Sequence, residues 1–84
     1  MPASDFTYVY ILRSTSAKDA HYTGCTNDLD ARLQKHNEGG VPHTAKYRPW
    51  IVETAIRFRD PAKARAFEKY LKSGSGRAFA KKHF

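Results

Sequence analysis

Residues 6–26 read FTYVYILRSTSAKDAHYTGCT, and this stretch decides the fold. From Phe6 to Arg13 the residues alternate and are rich in Tyr, Val and Ile, which is a strand pattern. It puts Phe6, Tyr8, Tyr10 and Leu12 on one face and Val9 and Ile11 on the other. The polar run STSAKDA reads as a turn, and HYTGCT after it as a short second strand. Strand, brief polar loop and strand make an antiparallel hairpin.

Outward from the hairpin, helix signals follow. Asn27 is placed to cap the first turn of a helix, with Asp28 and Asp30 near the positive end of its dipole. Leu29 and Leu33 form an i, i+4 apolar pair, and Gly39-Gly40 ends the helix after Glu38. Gly39 to Pro49 reads as a loop. Trp50 to Phe58 reads as a third strand, with Trp50, Val52, Thr54, Ile56 and Phe58 on one face. Asp60-Pro61 pairs a cap with proline at the first helical position. That helix is expected to run to about Ser73 and end at Gly74, with a last basic helix from about Arg77 to His83. The expectation is an α+β fold of order β-β-α-β-α-α, a small, mainly antiparallel three-stranded sheet flanked by helices.

Composition narrows the function. The 84 residues carry 15 Lys+Arg against 8 Asp+Glu, a net charge of +7, which predicts attraction to polyanions, nucleic acid above all. A hydrophobic fraction of 40% with five Tyr, five Phe and one Trp argues for a packed core in one domain spanning 1–84. No apolar run approaches the ~18 residues of a membrane span, and MPASDF lacks the features of a signal peptide, so a soluble, cytoplasmic protein is expected. The lone Cys25 excludes an internal disulfide and a thiolate zinc site, and reads as a small packing residue.

Three constellations depart from plain core and surface patterning. In the second long helix the spacing i, i+3, i+4, i+7 selects Ala64, Phe67, Glu68 and Leu71. A carboxylate on that stripe is expensive to bury unpaired, so Glu68 should face a cation, a metal ion or a wet cleft; the alternative is an ordinary i+4 pair with Lys72. Arg32 and His36 share a helix face and suit a phosphate site, unless they line a solvated face with Arg32 paired to Asp28. Tyr10 and Tyr22 lie on paired strands, where both phenols could point to one side, or each could simply fill core. His21 and His43 have no partner at a ligand spacing. In the tail RAFAKKHF, Phe79 and Phe84 would pack down and leave Lys81 and Lys82 for a polyanion.

Together these residues resemble the GIY-YIG nuclease family. Its first motif corresponds to Tyr8-Val9-Tyr10 and its second to Tyr22-Thr23-Gly24. Arg32 and His36 in ARLQKHN and Glu68 in ARAFEKYLK fall where that family carries its helical site residues. The chain is most similar to the small stand-alone bacterial members, which also carry turns like HNEG and KYRP here. Tyr8 stands in place of the first motif's glycine and Thr23 in place of the usual Ile or Val. No Asn occurs in GSGRAFA, where members often have one.

The resemblance implies phosphodiester hydrolysis with one divalent ion, Mg²⁺ or Mn²⁺, held by Glu68. It further implies Arg32 clamping the phosphate, and Tyr10 as general base with Tyr22 alongside, made a phenolate by the cationic field of Arg32 and the metal. His36 would relay the proton from Tyr10 or the leaving group, and Gly24 would let substrate approach closely. Lys46, Arg48, Lys69, Lys72, Lys81 and Lys82 would bind DNA phosphates without sequence preference, leaving specificity to a protein partner. Tyr47 and Trp50, expected to be exposed, would suit stacking on unpaired bases of single-stranded or branched DNA. The competing expectations are a nucleic-acid-binding module on the same fold that does not cleave, and a basic adaptor for an acidic protein.

Overall fold

The structure, a computed structural model, describes residues 5–84. Strand β1 (Thr7–Ser14) lies between β2 (His21–Thr26) and β3 (Trp50–Phe58) in an antiparallel sheet of order β2-β1-β3. Between β2 and β3 come α1 (Leu29–Asn37) and the one-turn α2 (Pro42–Ala45), and after β3 come α3 (Pro61–Leu71) and α4 (Gly74–His83). The expected fold is therefore present, with one addition: α2 interrupts the segment read as loop. Val41, Pro42 and Thr44 build that turn, with the Thr44 and Ala45 amides returning to the Val41 carbonyl.

Alternation along β1 sorts the core into two layers. Val9 and Ile11 pack with Ala64 and Leu71 beneath α3, joined by Cys25, Phe58, Phe67, Phe79 and Ala80. Tyr10 and Leu12 face the opposite side with Trp50, against Leu29 and Leu33 of α1 and Tyr22 and Val52 of the sheet. The five β3 residues expected on one face are divided between these layers. Ile11 pairs with Thr54 but Leu12 with Val52, so a bulge at Glu53 inserts one residue into β3. A one-residue slip exchanges faces. Thus Trp50 and Val52 join the Tyr10 layer, while Phe58 joins the Val9 layer.

Helix ends follow local chemistry, with shifts of a residue or a few. Asp28, not Asn27, is the N-cap of α1, its carboxylate accepting from the Ala31 amide at 3.1 Å. At the other end, Gly39 at φ 82° donates to the His36 carbonyl and Gly40 to that of Lys35. This paired return of amides is the glycine C-cap that fixes where α1 stops. Asn37 then reads the backbone of Trp50 from both sides, donating to its carbonyl at 3.0 Å and accepting from its amide at 2.6 Å. That clip holds the last turn of α1, and with it His36, against the start of β3. Helix α3 begins as expected at Asp60-Pro61 but ends at Leu71. Gly74, expected as its stop, opens α4 behind an Ser73 N-cap. Among the described residues no helix is long and apolar enough to cross a membrane.

Candidate active site

The sheet register builds the centre of the site. Tyr10 pairs directly with Gly24, and a Cβ at Gly24 would meet the Tyr10 ring, with Cε1 3.0 Å away and the hydroxyl closer still. Gly24 therefore leaves room for a tyrosine laid across the neighbouring strand. This corrects the expectation that Gly24 admits substrate: it is buried, and the space above it is filled by Tyr10. Laid this way, the Tyr10 hydroxyl reaches His36 Nε2 at 3.0 Å. The Tyr22 ring lies against both, with centroids 4.8 Å from His36 and 6.3 Å from Tyr10.

Hydrogen bonding sets the protonation of this cluster. Thr44 Oγ1 donates to the Val41 carbonyl at 3.2 Å, so its lone pairs face His36 Nδ1, 2.7 Å away. His36 then carries its proton on Nδ1 and donates it to Thr44, which makes Nε2 the acceptor for the Tyr10 hydroxyl. Burial pushes the His36 pKa below its ordinary value, and the neighbouring charges of Arg32 and Lys35 push it further. A neutral imidazole, oriented from behind, therefore faces a phenol. Thr44 was not legible as a site residue in the sequence; only the return of α2 against α1 brings it to His36.

Burial also raises the Tyr10 pKa, with Arg32 pulling in the opposite direction. The resemblance implies a phenolate prepared by Arg32 and the metal together. Tyr10 is 1% exposed and desolvation outweighs the guanidinium, so Arg32 by itself leaves the phenol protonated. Of the two partners expected for His36, Tyr10 or the leaving group, its contacts are with Tyr10, and it is fully buried between Tyr10 and Thr44.

Arg32, one turn before His36, stands beside Tyr10, and this contact is the main cause raising its own pKa. Its Nε is buried without a hydrogen-bond partner. An orphaned cationic donor of this kind is expensive unless an anion completes it. The pairing with Asp28 considered above is absent from the ion pairs of the described residues.

Glu68 is half-buried on α3, across the sheet from α1, and its field reaches both Tyr10 and Cys25. Its Oε2 accepts from Lys72 Nζ at 2.9 Å, so the i+4 pair considered from the sequence is present. Lys72 is thereby engaged with a carboxylate rather than left for DNA. Among the described residues no group of three or more His, Cys, Asp or Glu side chains gathers as a metal cage. Hard Mg²⁺ needs no such cage, because it keeps its waters and takes one or two carboxylates with substrate phosphate. One carboxylate with Oε1 outside the Lys72 pair, within the field of Tyr10, fits that mode.

The other expected contact residues are dispersed. Lys69, Lys81 and Lys82 are exposed on α3 and α4, and Lys46 is exposed with its ammonium 5.5 Å from the Tyr47 ring centroid. Arg48 gives Nε to the Ala45 carbonyl at 2.8 Å and lies over Gly39, which ties down the α2 segment. Tyr47 is exposed, as expected. Trp50 is not: it is buried, its indole N–H donating to the Thr44 carbonyl at 2.8 Å.

Two tyrosines of the hairpin thus meet an Arg and a His of the next helix, with a Glu on the third, within a small α+β domain. The chain belongs to the GIY-YIG family: the family described as the GIY-YIG catalytic domain matches residues 6–82. No curated protein matches it.

Proposed function

We propose that this protein is a metal-dependent endonuclease that hydrolyses DNA phosphodiester bonds with low sequence specificity. One observation carries the reading. The Tyr10 hydroxyl is bonded to a neutral, oriented His36 beside an Arg32 whose buried Nε lacks a partner. The unfilled cationic donor suits phosphate binding of either kind, whereas the proton path from Tyr10 to His36 suits attack on the phosphodiester and is of no use to passive binding.

In this reading a phosphate oxygen takes the Arg32 Nε and draws on the guanidinium that otherwise stands against Tyr10. Water attacks phosphorus, giving its proton to Tyr10 Oη as Tyr10 passes its own to His36 Nε2. The bond from phosphorus to the leaving ester oxygen breaks, and that oxygen takes a proton from solvent. His36 is left as a buried imidazolium near Arg32, the state its environment disfavours, so the proton returns through Tyr10 and resets the site. Tyr22 orients the water from its place beside both rings. Glu68 would hold the divalent ion, Mg²⁺ or Mn²⁺, which when bound supplies charge stabilisation at the phosphate and leaving oxygen. Exposed lysines of α3 and α4 add affinity for the backbone without reading bases.

The direct test is purified protein with labelled single-stranded, duplex and forked DNA, with and without Mg²⁺ or Mn²⁺. Endonucleolytic products that need the metal are expected. Salt-sensitive binding of all three DNAs with no cleavage under any metal would establish the binding-module alternative instead.

A further inference from the structure

Beside the site, between the β1–β2 turn and α2, lies an open cleft of about 420 Å³. The β1–β2 turn and the start of β2 line it with Lys18, Asp19 and Tyr22, and α2 and the chain after it with Thr44, Tyr47 and Trp50. Three of these link it to the proposed chemistry. The Tyr22 ring lies tilted against His36, Thr44 holds His36 Nδ1, and the Trp50 indole is bonded to the Thr44 carbonyl.

The two walls are stitched together rather than left to drift. Ser14 and Ser16 hydroxyls both donate to the Tyr47 carbonyl, at 2.7 and 3.2 Å, and the Thr15 amide donates to that of Pro49 at 2.9 Å. This fixes the backbone of Tyr47 while the residue stays 37% exposed. A held, exposed aromatic with the Lys46 ammonium at its face joins a stacking surface to a phosphate contact. That pairing is the recurring means of holding single strands.

We infer that this cleft binds an unpaired nucleobase of the DNA strand, stacked on Tyr47 and adjacent to Tyr22. The volume falls in the range of small-molecule sites. Asp19 offers a carboxylate to an exocyclic amino group, and Lys18 a cation to the flanking phosphate. A paired base is already stacked and bonded within its duplex, so entry favours nucleotides that are unpaired beforehand. The inference rests on the nuclease reading for the path of the strand, and it narrows the substrate to DNA with an unpaired nucleotide near the scissile phosphate.

The test is binding of the full chain, in EDTA, to short oligonucleotides carrying one 2-aminopurine, either unpaired or within a duplex. Quenching of the unpaired probe is expected, with affinity about tenfold above that for the duplex. Tyr47→Ala should lose the quench and about tenfold in single-strand affinity, whereas Tyr47→Phe keeps both. Tyr47 meets the opposite wall through its backbone carbonyl, so the truncation leaves that stitching in place. Fluorescence unchanged at saturation, or an undiminished quench in Tyr47→Ala, overturns the inference. Because EDTA removes the ion, this result is independent of hydrolysis. Quenching by a chain that never cleaves with Mg²⁺ upholds the cleft and refutes the nuclease reading. Cleavage without quenching does the reverse.

Discussion

At Tyr10 ring and hydroxyl do separate work, and one substitution divides them. The ring fills the space over Gly24 and the hydroxyl meets His36. Tyr10→Phe keeps the ring but leaves His36 Nε2 buried without its donor, so it should cost about 1–3 kcal/mol of stability while still folding, and should lower the single-turnover cleavage rate by about 10²–10⁴-fold. Tyr22→Phe should lower it less, since its ring is what lies on His36. His36 adds a pH dependence. Its folded pKa lies below the unfolded value of about 6.5, so as pH falls below that value the unfolded chain takes up the proton first. The contribution of the neutral form to stability is complete above about 6.5 and is lost as pH drops toward the folded pKa. Melting temperature measured downward from neutral pH should fall through that window, and cleavage should fall as pH approaches the folded pKa, where His36 can no longer accept the proton. Thr44→Val, similar in shape, leaves Nδ1–H buried without an acceptor and should cost about 1–3 kcal/mol in denaturant titrations. Spacing puts Arg32 and His36 on one helix face and strand pairing puts Tyr10 beside Tyr22, while the joining of the two pairs comes from the resemblance to the family. Thr44 was not readable from the sequence, because its partner is eight residues away across a chain reversal.

Among the elements, α1 and β1 were readable because each carries one simple period. The bulge in β3 was not. Its burial still alternates along the sequence, while the extra residue at Glu53 exchanges the faces underneath. Gly74 and Gly76 show why the α3–α4 boundary was misplaced. Glycine after a helix reads as a stop, yet here Gly76 lies inside α4, and a Cβ on it would collide with the Tyr70 carbonyl. That contact is with backbone, which cannot swing aside as a side chain can. Gly76→Ala should therefore destabilise the fold despite alanine's better helix propensity, whereas Gly74→Ala, with open space around it, should not. Thermal melting of the two variants decides the matter. If Gly76→Ala melts at or above the wild-type temperature, the close crossing of α4 over the end of α3 is not as described.

Across the whole molecule, a +7 charge on 84 residues makes affinity for DNA an electrostatic property. Log affinity should fall linearly with log salt, and Lys81→Ala with Lys82→Ala should flatten that slope; a slope indifferent to salt would rule out phosphate contacts as the source of binding. Charge alone does not distinguish a nuclease from a binder. The distinction lies at Glu68, whose place on an apolar stripe was the clearest anomaly in the sequence, and which the fold sets within the field of Tyr10. Lys72 holds Oε2, so the ion proposed there would take Oε1 or displace the ammonium. The most direct measurement is single-turnover cleavage by Glu68→Ala at saturating Mg²⁺, with DNA affinity and the circular dichroism spectrum recorded on the same preparation. Loss of metal-dependent product with binding and fold retained is the predicted result. Cleavage at the wild-type rate by that variant would contradict it.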